Sequence, residues 1–203
     1  MHIRAAQPVQ AVQTASKAES TIERFALQAS IAVLATAFVA ACAHIALPLP
    51  FSPVPLTLQT FAVLLVGLTF GPAMGGATLA LYLAEGVCGF PVFAPTGVGG
   101  LAQLMGPTGG YLLAYPLAAA CAGYVALKLA AVMPRMGANI LGGVCAIAVT
   151  LSMGASWLAV ETHATVAHVA MMGVVPFLPG EAIKILAAAG IASAWLRLRK
   201  QSA

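Results

Sequence analysis

Long apolar segments with few charged side chains make up most of this chain, and they restrict its possible folds more than any other feature. Hydrophobic residues account for 61% of the 203 residues, and Asp, Glu, Lys and Arg together account for 7%. A soluble domain carries about 25% charged residues, and a soluble fold of this length has no interior able to bury so much apolar surface. We therefore predict an integral membrane protein.

The apolar segments are long and unbroken, unlike the short alternating segments of a transmembrane β-barrel. A helix satisfies its own backbone hydrogen bonds, so such segments cross a bilayer as α-helices. We predict an all-α integral membrane protein with six transmembrane helices. They cover residues 25–45, two helices within 57–90 separated by "GPAMGG" (71–76), and residues 111–133, 139–160 and 177–196.

The distribution of positive charge predicts the orientation of these helices. The loops after helices one, three and five contain no Lys or Arg, and eight of the nine Lys and Arg lie on the opposite side. Because Lys and Arg are enriched in cytoplasmic segments, both termini are predicted to be cytoplasmic. The expected organisation is a cytoplasmic N-terminal tail (1–24), a six-helix transmembrane domain (25–197) and a cytoplasmic C-terminal tail (198–203).

Lys184 is the ninth cation, and it lies inside the sixth predicted helix, three residues after Glu181. A charged side chain at the centre of a bilayer costs about 2.5–3.5 kcal/mol on insertion scales. Spacing three puts the two side chains on adjacent parts of one helix face. One interpretation is a mutual ion pair. The other is a ligand site in which Lys184 meets an anion and Glu181 accepts hydrogen bonds from N–H groups. Both interpretations hold if Glu181 and Lys184 form their ion pair only when no ligand is bound.

Three polar side chains and a glycine-rich segment are further candidates for a pocket on the outer side. Gln59 either caps the second helix or presents its amide to a ligand. Tyr82 and Tyr111 are either interfacial residues, the usual position of membrane tyrosines, or pocket residues. The segment "GPTGGY", which contains Gly110, lets a backbone approach a ligand closely and starts a helix whose first N–H groups are free.

Small residues repeat at spacing four on two predicted helices, which permits close contact between helices. The repeat covers Ala114 to Ala130 on the fourth helix, and Ala37 and Ala41 on the first. Such a face packs either within this protein or against another membrane subunit. The first helix is the better candidate for a partner interface.

Motifs of several common enzyme and metal-site classes are absent from the sequence. It contains no GxxxxGK[ST] loop, no GxSxG elbow and no Asp. His163 and His168 are five residues apart, which differs from the spacing of four in a metal-binding HExxH motif. We therefore predict no enzymatic activity, no metal site and no cofactor in this chain.

Four segments, taken in order, resemble the BioY family over about residues 25–195. They are "LPLPFSPVPLTLQTFAVLLVGLTFGP", "LYLAEGVCGFPVFA", "GGLAQLMGPTGGYLLAYPLAA" and "GVVPFLPGEAIKILAAA". Members of this family are the biotin-specific substrate-binding (S) components of energy-coupling factor (ECF) vitamin transporters. The resemblance implies a multi-pass protein of the inner (cytoplasmic) membrane that binds biotin near the outer surface, under the first and third loops (47–56 and 91–110).

The resemblance also implies which residues bind biotin. The acidic-x-x-Lys pattern of the family's sixth helix corresponds to Glu181 and Lys184, and many members carry Asp in place of Glu181. Glu181 would accept hydrogen bonds from the ureido N–H groups, and Lys184 would meet the carboxylate. The implied substrate-binding residues are Glu181, Lys184, Gln59, Tyr82, Phe93, Gly100, Gly110 and Tyr111.

Partners follow from the same resemblance. A small-residue face with Ala37 and Ala41 would contact a transmembrane coupling subunit, and two ABC ATPases bound to that subunit would use ATP.

Three alternative functions remain open from the residues. They are a self-sufficient carrier without an ATPase, an S component for another small carboxylate-bearing vitamin, and a structural membrane protein without a ligand.

Overall fold

The computed structural model of this chain is a helical bundle with one short β-hairpin. It describes residues 7–201, with side chains for residues 22–199 and 201. In chain order the elements are α1 (Gln7–His44), β1 (Ala46–Leu47), β2 (Leu56–Thr57), α2 (Gln59–Phe70), α3 (Pro72–Val87), α4 (Gly100–Met105), α5 (Gly109–Leu129), α6 (Arg135–Thr162), α7 (Val166–Gly173), a 3₁₀ turn (Val175–Phe177) and α8 (Leu178–Gln201).

Four segments of the described chain are long and apolar enough to cross a membrane. They are Ile22–His44, Gly109–Leu129, Arg135–Thr162 and Val166–Arg199, the last of which joins α7, the 3₁₀ turn and α8. The first, fourth, fifth and sixth predicted helices are thereby confirmed as helices of sufficient length. Helix α2 is apolar but has 12 residues, which is shorter than the roughly 20 that a straight span needs. The count of six spans and the orientation of the termini stay predictions.

The predicted interruption of the second apolar segment is a single residue, Gly71. Its φ is +81°, a positive value that glycine adopts readily because it has no Cβ. Pro72 follows as the first residue of α3. Proline is tolerated there because the N–H at this position has no partner within the helix. The prediction of two helices joined by a tight turn is confirmed. Gly75 and Gly76, however, belong to α3 and not to the turn.

Helix α5 packs at the centre of the bundle with small residues facing its neighbours. Ala118 and Ala122 are fully or almost fully buried. A Cβ on Gly142 of α6 would lie 2.6 Å from the carbonyl oxygen of Ala122, and a Cβ on Gly123 would lie 2.6 Å from the carbonyl carbon of Gly71. The alanine repeat of this helix therefore serves packing within the protein.

The predicted loops contain short regular elements. The Pro-rich first loop is closed by the pairing of Ala46 with Thr57 and of Leu47 with Leu56. The third predicted loop (91–110) contains α4, and the segment between the fifth and sixth predicted helices contains α7. Helix α1 begins at Gln7, so it extends into the predicted tail (1–24), of which residues 1–6 lie outside the described part.

Candidate binding site

A cavity lies at the end of the bundle where α2, α5 and α8 begin, and we call it the binding cavity. Its empty space, including the open mouth, is about 550 Å³. Val54 and Pro55 of the first loop and Ala94 of the third loop form part of its wall. Its polar lining side chains are Thr57, Gln59, Thr60, Gln103, Thr108, Tyr111, Tyr115, Thr150 and Glu181.

Glu181, Lys184 and Thr60 form a buried hydrogen-bonded triangle at one wall of this cavity. The Nζ of Lys184 donates to Glu181 Oε1 at 2.7 Å and to Thr60 Oγ1 at 2.9 Å. The Thr60 hydroxyl donates to the same Glu181 oxygen at 2.8 Å. The Lys184 and Glu181 side chains are only 8% and 5% exposed. The desolvation of a buried ion pair is offset only when added hydrogen bonds accompany it, and Thr60 supplies them.

The second oxygen of Glu181 is a free acceptor. Glu181 Oε2 is buried and has no hydrogen-bond partner among the described residues, and a buried acceptor without a donor is costly. Glu181 lines the cavity, whereas Lys184 is absent from the described residues that line it. Glu181 lies in the first turn of α8, where the helix dipole favours a carboxylate. The cavity is therefore lined by a carboxylate with one oxygen that lacks a donor, whereas the lysine is bonded to the other oxygen.

Gln59 also lines the cavity, and Tyr82 supports it from the side of α3. The Gln59 amide Nε2 donates to the Tyr82 hydroxyl at 2.7 Å, which donates to the Val92 carbonyl at 2.7 Å. The Phe93 ring packs edge-on against Tyr82 with a centroid separation of 5.5 Å. Of these four residues only Gln59 is among the described residues that line the cavity, so Tyr82 and Phe93 orient the amide of Gln59.

Tyr111 lines the cavity from the start of α5. Its hydroxyl donates to the carbonyl of Gly173 at 2.7 Å, and its ring lies against Phe177 with a centroid separation of 6.4 Å. Both partners precede α8. Tyr111 therefore joins the first turn of α5 to the segment that positions Glu181.

Two predicted glycines lie outside the described lining of the cavity. Gly110 packs against Trp157 of α6 so closely that an added Cβ would overlap the indole-bearing side chain. Gly100 begins α4 with a φ of +60°. Direct ligand contacts of these glycines stay predictions. The predicted partner-interface residues, Ala37 and Ala41, are both exposed on α1.

Sequence reasoning missed several cavity residues. Thr108, which directly precedes α5, and Tyr111 and Tyr115 within α5 recur at helical spacing, and this periodicity is a signal that could have added Thr108 and Tyr115. Thr60 carries no comparable signal, because its contact with Glu181 joins residues 121 positions apart.

The described residues include no group of three His, Cys, Asp or Glu that could hold a metal ion.

Known proteins resemble this chain over most of its length. The sequence profile of the BioY family matches residues 13–201. A probable biotin transporter BioY from Pyrococcus horikoshii is 38% identical over 140 residues, which are 69% of this chain and 79% of that protein. The biotin transporter BioY from Thermotoga maritima is 36% identical over 165 residues, or 81% and 91% of the two chains.

A solved structure shares the fold. The crystal structure of the S-component for biotin from an ECF-type ABC transporter superposes with a TM-score of 0.77. The alignment covers 88% of this chain and 93% of the other, with 24% sequence identity. At this identity the likeness establishes the fold, which is that of an S component.

Proposed function

Because this chain belongs to the BioY family, we propose that it binds biotin and carries it across the cytoplasmic membrane as the S component of an ECF-type ABC transporter. Its named relatives are transporters and not enzymes. The helical fold, the four apolar segments and the cavity support transport of a small molecule.

One observation carries the choice of ligand chemistry, namely the unpartnered Oε2 of Glu181 at the cavity. Biotin has a ureido ring with two N–H donors, an apolar thioether body and a carboxylate tail. Lys184 and Thr60 hold the Glu181 carboxylate through Oε1, so its unpartnered Oε2 suits a ureido N–H, because charge-assisted hydrogen bonds are the stronger kind. Apolar lining residues such as Leu112 and Ile147 suit the thioether body.

The position of Lys184 favours an indirect role for this residue. It contacts Glu181 and Thr60, and it stands outside the described lining of the cavity. On our proposal Lys184 holds the Glu181 carboxylate in its orientation, and does not itself meet the biotin carboxylate. The alternative is that the ion pair opens and Lys184 binds that carboxylate.

A titration of the purified chain with biotin tests the proposed function, and biotin amide separates the two roles of Lys184. We expect tight binding of biotin by the wild-type chain, and strong weakening in Glu181→Gln and Lys184→Ala. If Lys184 acts through Glu181, Lys184→Met weakens the binding of biotin and of biotin amide by the same factor. A larger loss of affinity for biotin than for biotin amide would show that Lys184 binds the biotin carboxylate. No binding by the wild-type chain would refute the function.

On the same proposal α2 and α3 are two short spans, so the chain crosses the membrane six times with both termini in the cytoplasm. The distribution of Lys and Arg supports this orientation, since Arg135 and Arg197 lie at the predicted inner ends of α6 and α8. Labelling of single cysteines from outside intact cells tests it. A cysteine placed in the 91–99 segment should react with an impermeant reagent, and one at Arg135 should not.

We also propose that α1 contacts a transmembrane coupling subunit to which two ABC ATPases bind. Exposure of Ala37 and Ala41 supports this interface, because small residues allow close approach of a partner helix. Ala37→Leu should reduce co-purification with the coupling module and leave biotin affinity unchanged. Ala148→Leu, the same change on an exposed position of α6, is the matched control. Biotin uptake in cells that lack every coupling subunit would instead indicate a self-sufficient carrier.

A further inference from the structure

A second cavity lies beside the binding cavity, between the first and third loops, and we call it the vestibule. Its wall includes Pro53 of the first loop and Thr96 and Val98 of the third. All three are exposed, and Val98 is 80% exposed, so the vestibule opens to the surroundings. The residues that line both cavities are Pro55, Gln103 and Thr108. These three side chains therefore form the partition between the vestibule and the binding cavity.

Gln103 is the part of this partition that can move without a change in the backbone. The Pro55 ring is fixed to its backbone, and Thr108 has a short β-branched side chain at the residue that precedes α5. Gln103 has three side-chain torsions and is 4% exposed. Rotation of its side chain would remove the middle of the partition while α4 and α5 stay in place.

The third loop holds the Gln103 amide in its partition position by few interactions. The Gly99 N–H donates to Oε1 at 3.1 Å, and Nε2 donates to the Ala94 carbonyl at 3.5 Å, the outer limit of a hydrogen bond. Gly97 leaves space for the amide, since a Cβ there would lie 2.5 Å from the Gln103 Cδ. The amide is thus clamped against the loop backbone by one good hydrogen bond and by close packing that needs a glycine at position 97.

We propose that Gln103 is the gate of the route by which the ligand enters and leaves the binding cavity through the vestibule. In the closed position the amide lies against the third loop and completes the partition. When it rotates away, the vestibule and the cavity become one passage. The identity of the ligand rests on the function proposed above, but the gate itself is a property of the two cavities.

The gate can be tested without any ligand by the reactivity of a cysteine inside the binding cavity. Ile147→Cys, in a background with the native cysteines replaced by alanine, places a thiol on the lining contributed by α6. A negatively charged methanethiosulfonate reagent cannot reach it through lipid. We expect Gln103→Ala to raise the labelling rate about fivefold, which corresponds to the loss of one neutral hydrogen bond. Gly97→Ala should raise it similarly, because the added methyl displaces the amide.

Val98→Ala, a change at an exposed position of the same loop, is the control and should leave the labelling rate unchanged. Melting temperatures of all variants in the same nanodiscs verify that the fold is intact. Equal labelling rates in wild type, Gln103→Ala and Gly97→Ala would overturn the gate. So would an increase of the same size in Val98→Ala, because it would show a general loosening of the loop.

Biotin kinetics separate a failure of the gate from a failure of the proposed function. A gate changes the association and dissociation rates together, so both should rise about fivefold in Gly97→Ala, which displaces the Gln103 amide from outside the binding cavity, with a dissociation constant within about twofold of wild type. A wild-type chain that binds no biotin refutes the function and leaves the labelling result to decide the gate. A variant that changes only the dissociation rate identifies Gln103 as a ligand contact and overturns its role as a gate.

Discussion

Removal of the Lys184 ammonium tests how the charged pair is tolerated inside the bundle. Lys184→Met keeps most of the apolar stem and deletes the cation. It leaves the Glu181 carboxylate, whose side chain is 5% exposed, with Thr60 as its only hydrogen-bond donor among the described residues. A buried charge without its partner strongly destabilises the folded state.

The size of the effect follows from the geometry of the pair. Breaking a buried ion pair by removing one partner costs about 3–5 kcal/mol, and the 2.7 Å separation of Nζ and Oε1 places this pair in that class. A change of about 1 kcal/mol in the free energy of unfolding shifts the melting temperature of a chain of this size by roughly 2–4 °C. Lys184→Met should therefore melt about 6–20 °C below wild type.

The double variant Glu181→Gln/Lys184→Met removes both charges and keeps an amide beside Thr60. Replacement of both members of a buried pair by neutral groups is often close to neutral for stability. We expect the double variant to regain at least half of the lost melting temperature while biotin binding stays strongly weakened. Thermal melts of the single and double variants in one nanodisc preparation measure this. A double variant as unstable as Lys184→Met, or a Lys184→Met with wild-type stability, would refute the reasoning.

Two further predictions concern the cavity wall and the helix packing. Thr60→Val removes the hydroxyl that bridges the charged pair and should weaken biotin binding roughly fivefold to tenfold in a calorimetric titration, whereas Thr69→Val, on the same helix but bonded to its own backbone, should have no effect. Gly123→Ala should lower the free energy of unfolding by about 1–3 kcal/mol because its Cβ would meet the backbone of Gly71 at 2.6 Å. Gly190→Ala, also in a helix but with no atom within 4 Å of its Cβ, should be neutral or stabilising. Equal effects within either pair of variants would contradict the corresponding contact.

Several features of the fold were predictable because they depend on short stretches of sequence. Helix α5 and helix α6 begin and end within a few residues of their predicted limits, because unbroken apolar length is a local property. The interruption at Gly71 was predictable because Gly followed by Pro ends one helix and begins another. Helices α4 and α7 were assigned to loops, since six or eight residues carry too little periodicity to distinguish a helix from a turn.

The candidate binding site was predictable in part. Glu181 and Lys184 were identified because charge inside an apolar helix is rare, and their contact followed from their spacing on one face. Gln59 and Tyr111 do line the cavity, while Tyr82 and Phe93 lie behind Gln59. A sequence does not reveal which side of a helix faces a cavity when both sides are apolar.

The sequence by itself determined that the chain is a helical membrane protein, where its long helices lie and which helix carries the buried charges. These properties follow from apolar length and from the scarcity of charge, and neither requires knowledge of the neighbours. Only the tertiary structure decided that Thr60 joins the Glu181–Lys184 pair, that Glu181 and not Lys184 lines the cavity, and that Gln103 separates the cavity from the vestibule. Such contacts depend on the depth and rotation of each helix against the others, which packing between residues distant in sequence determines.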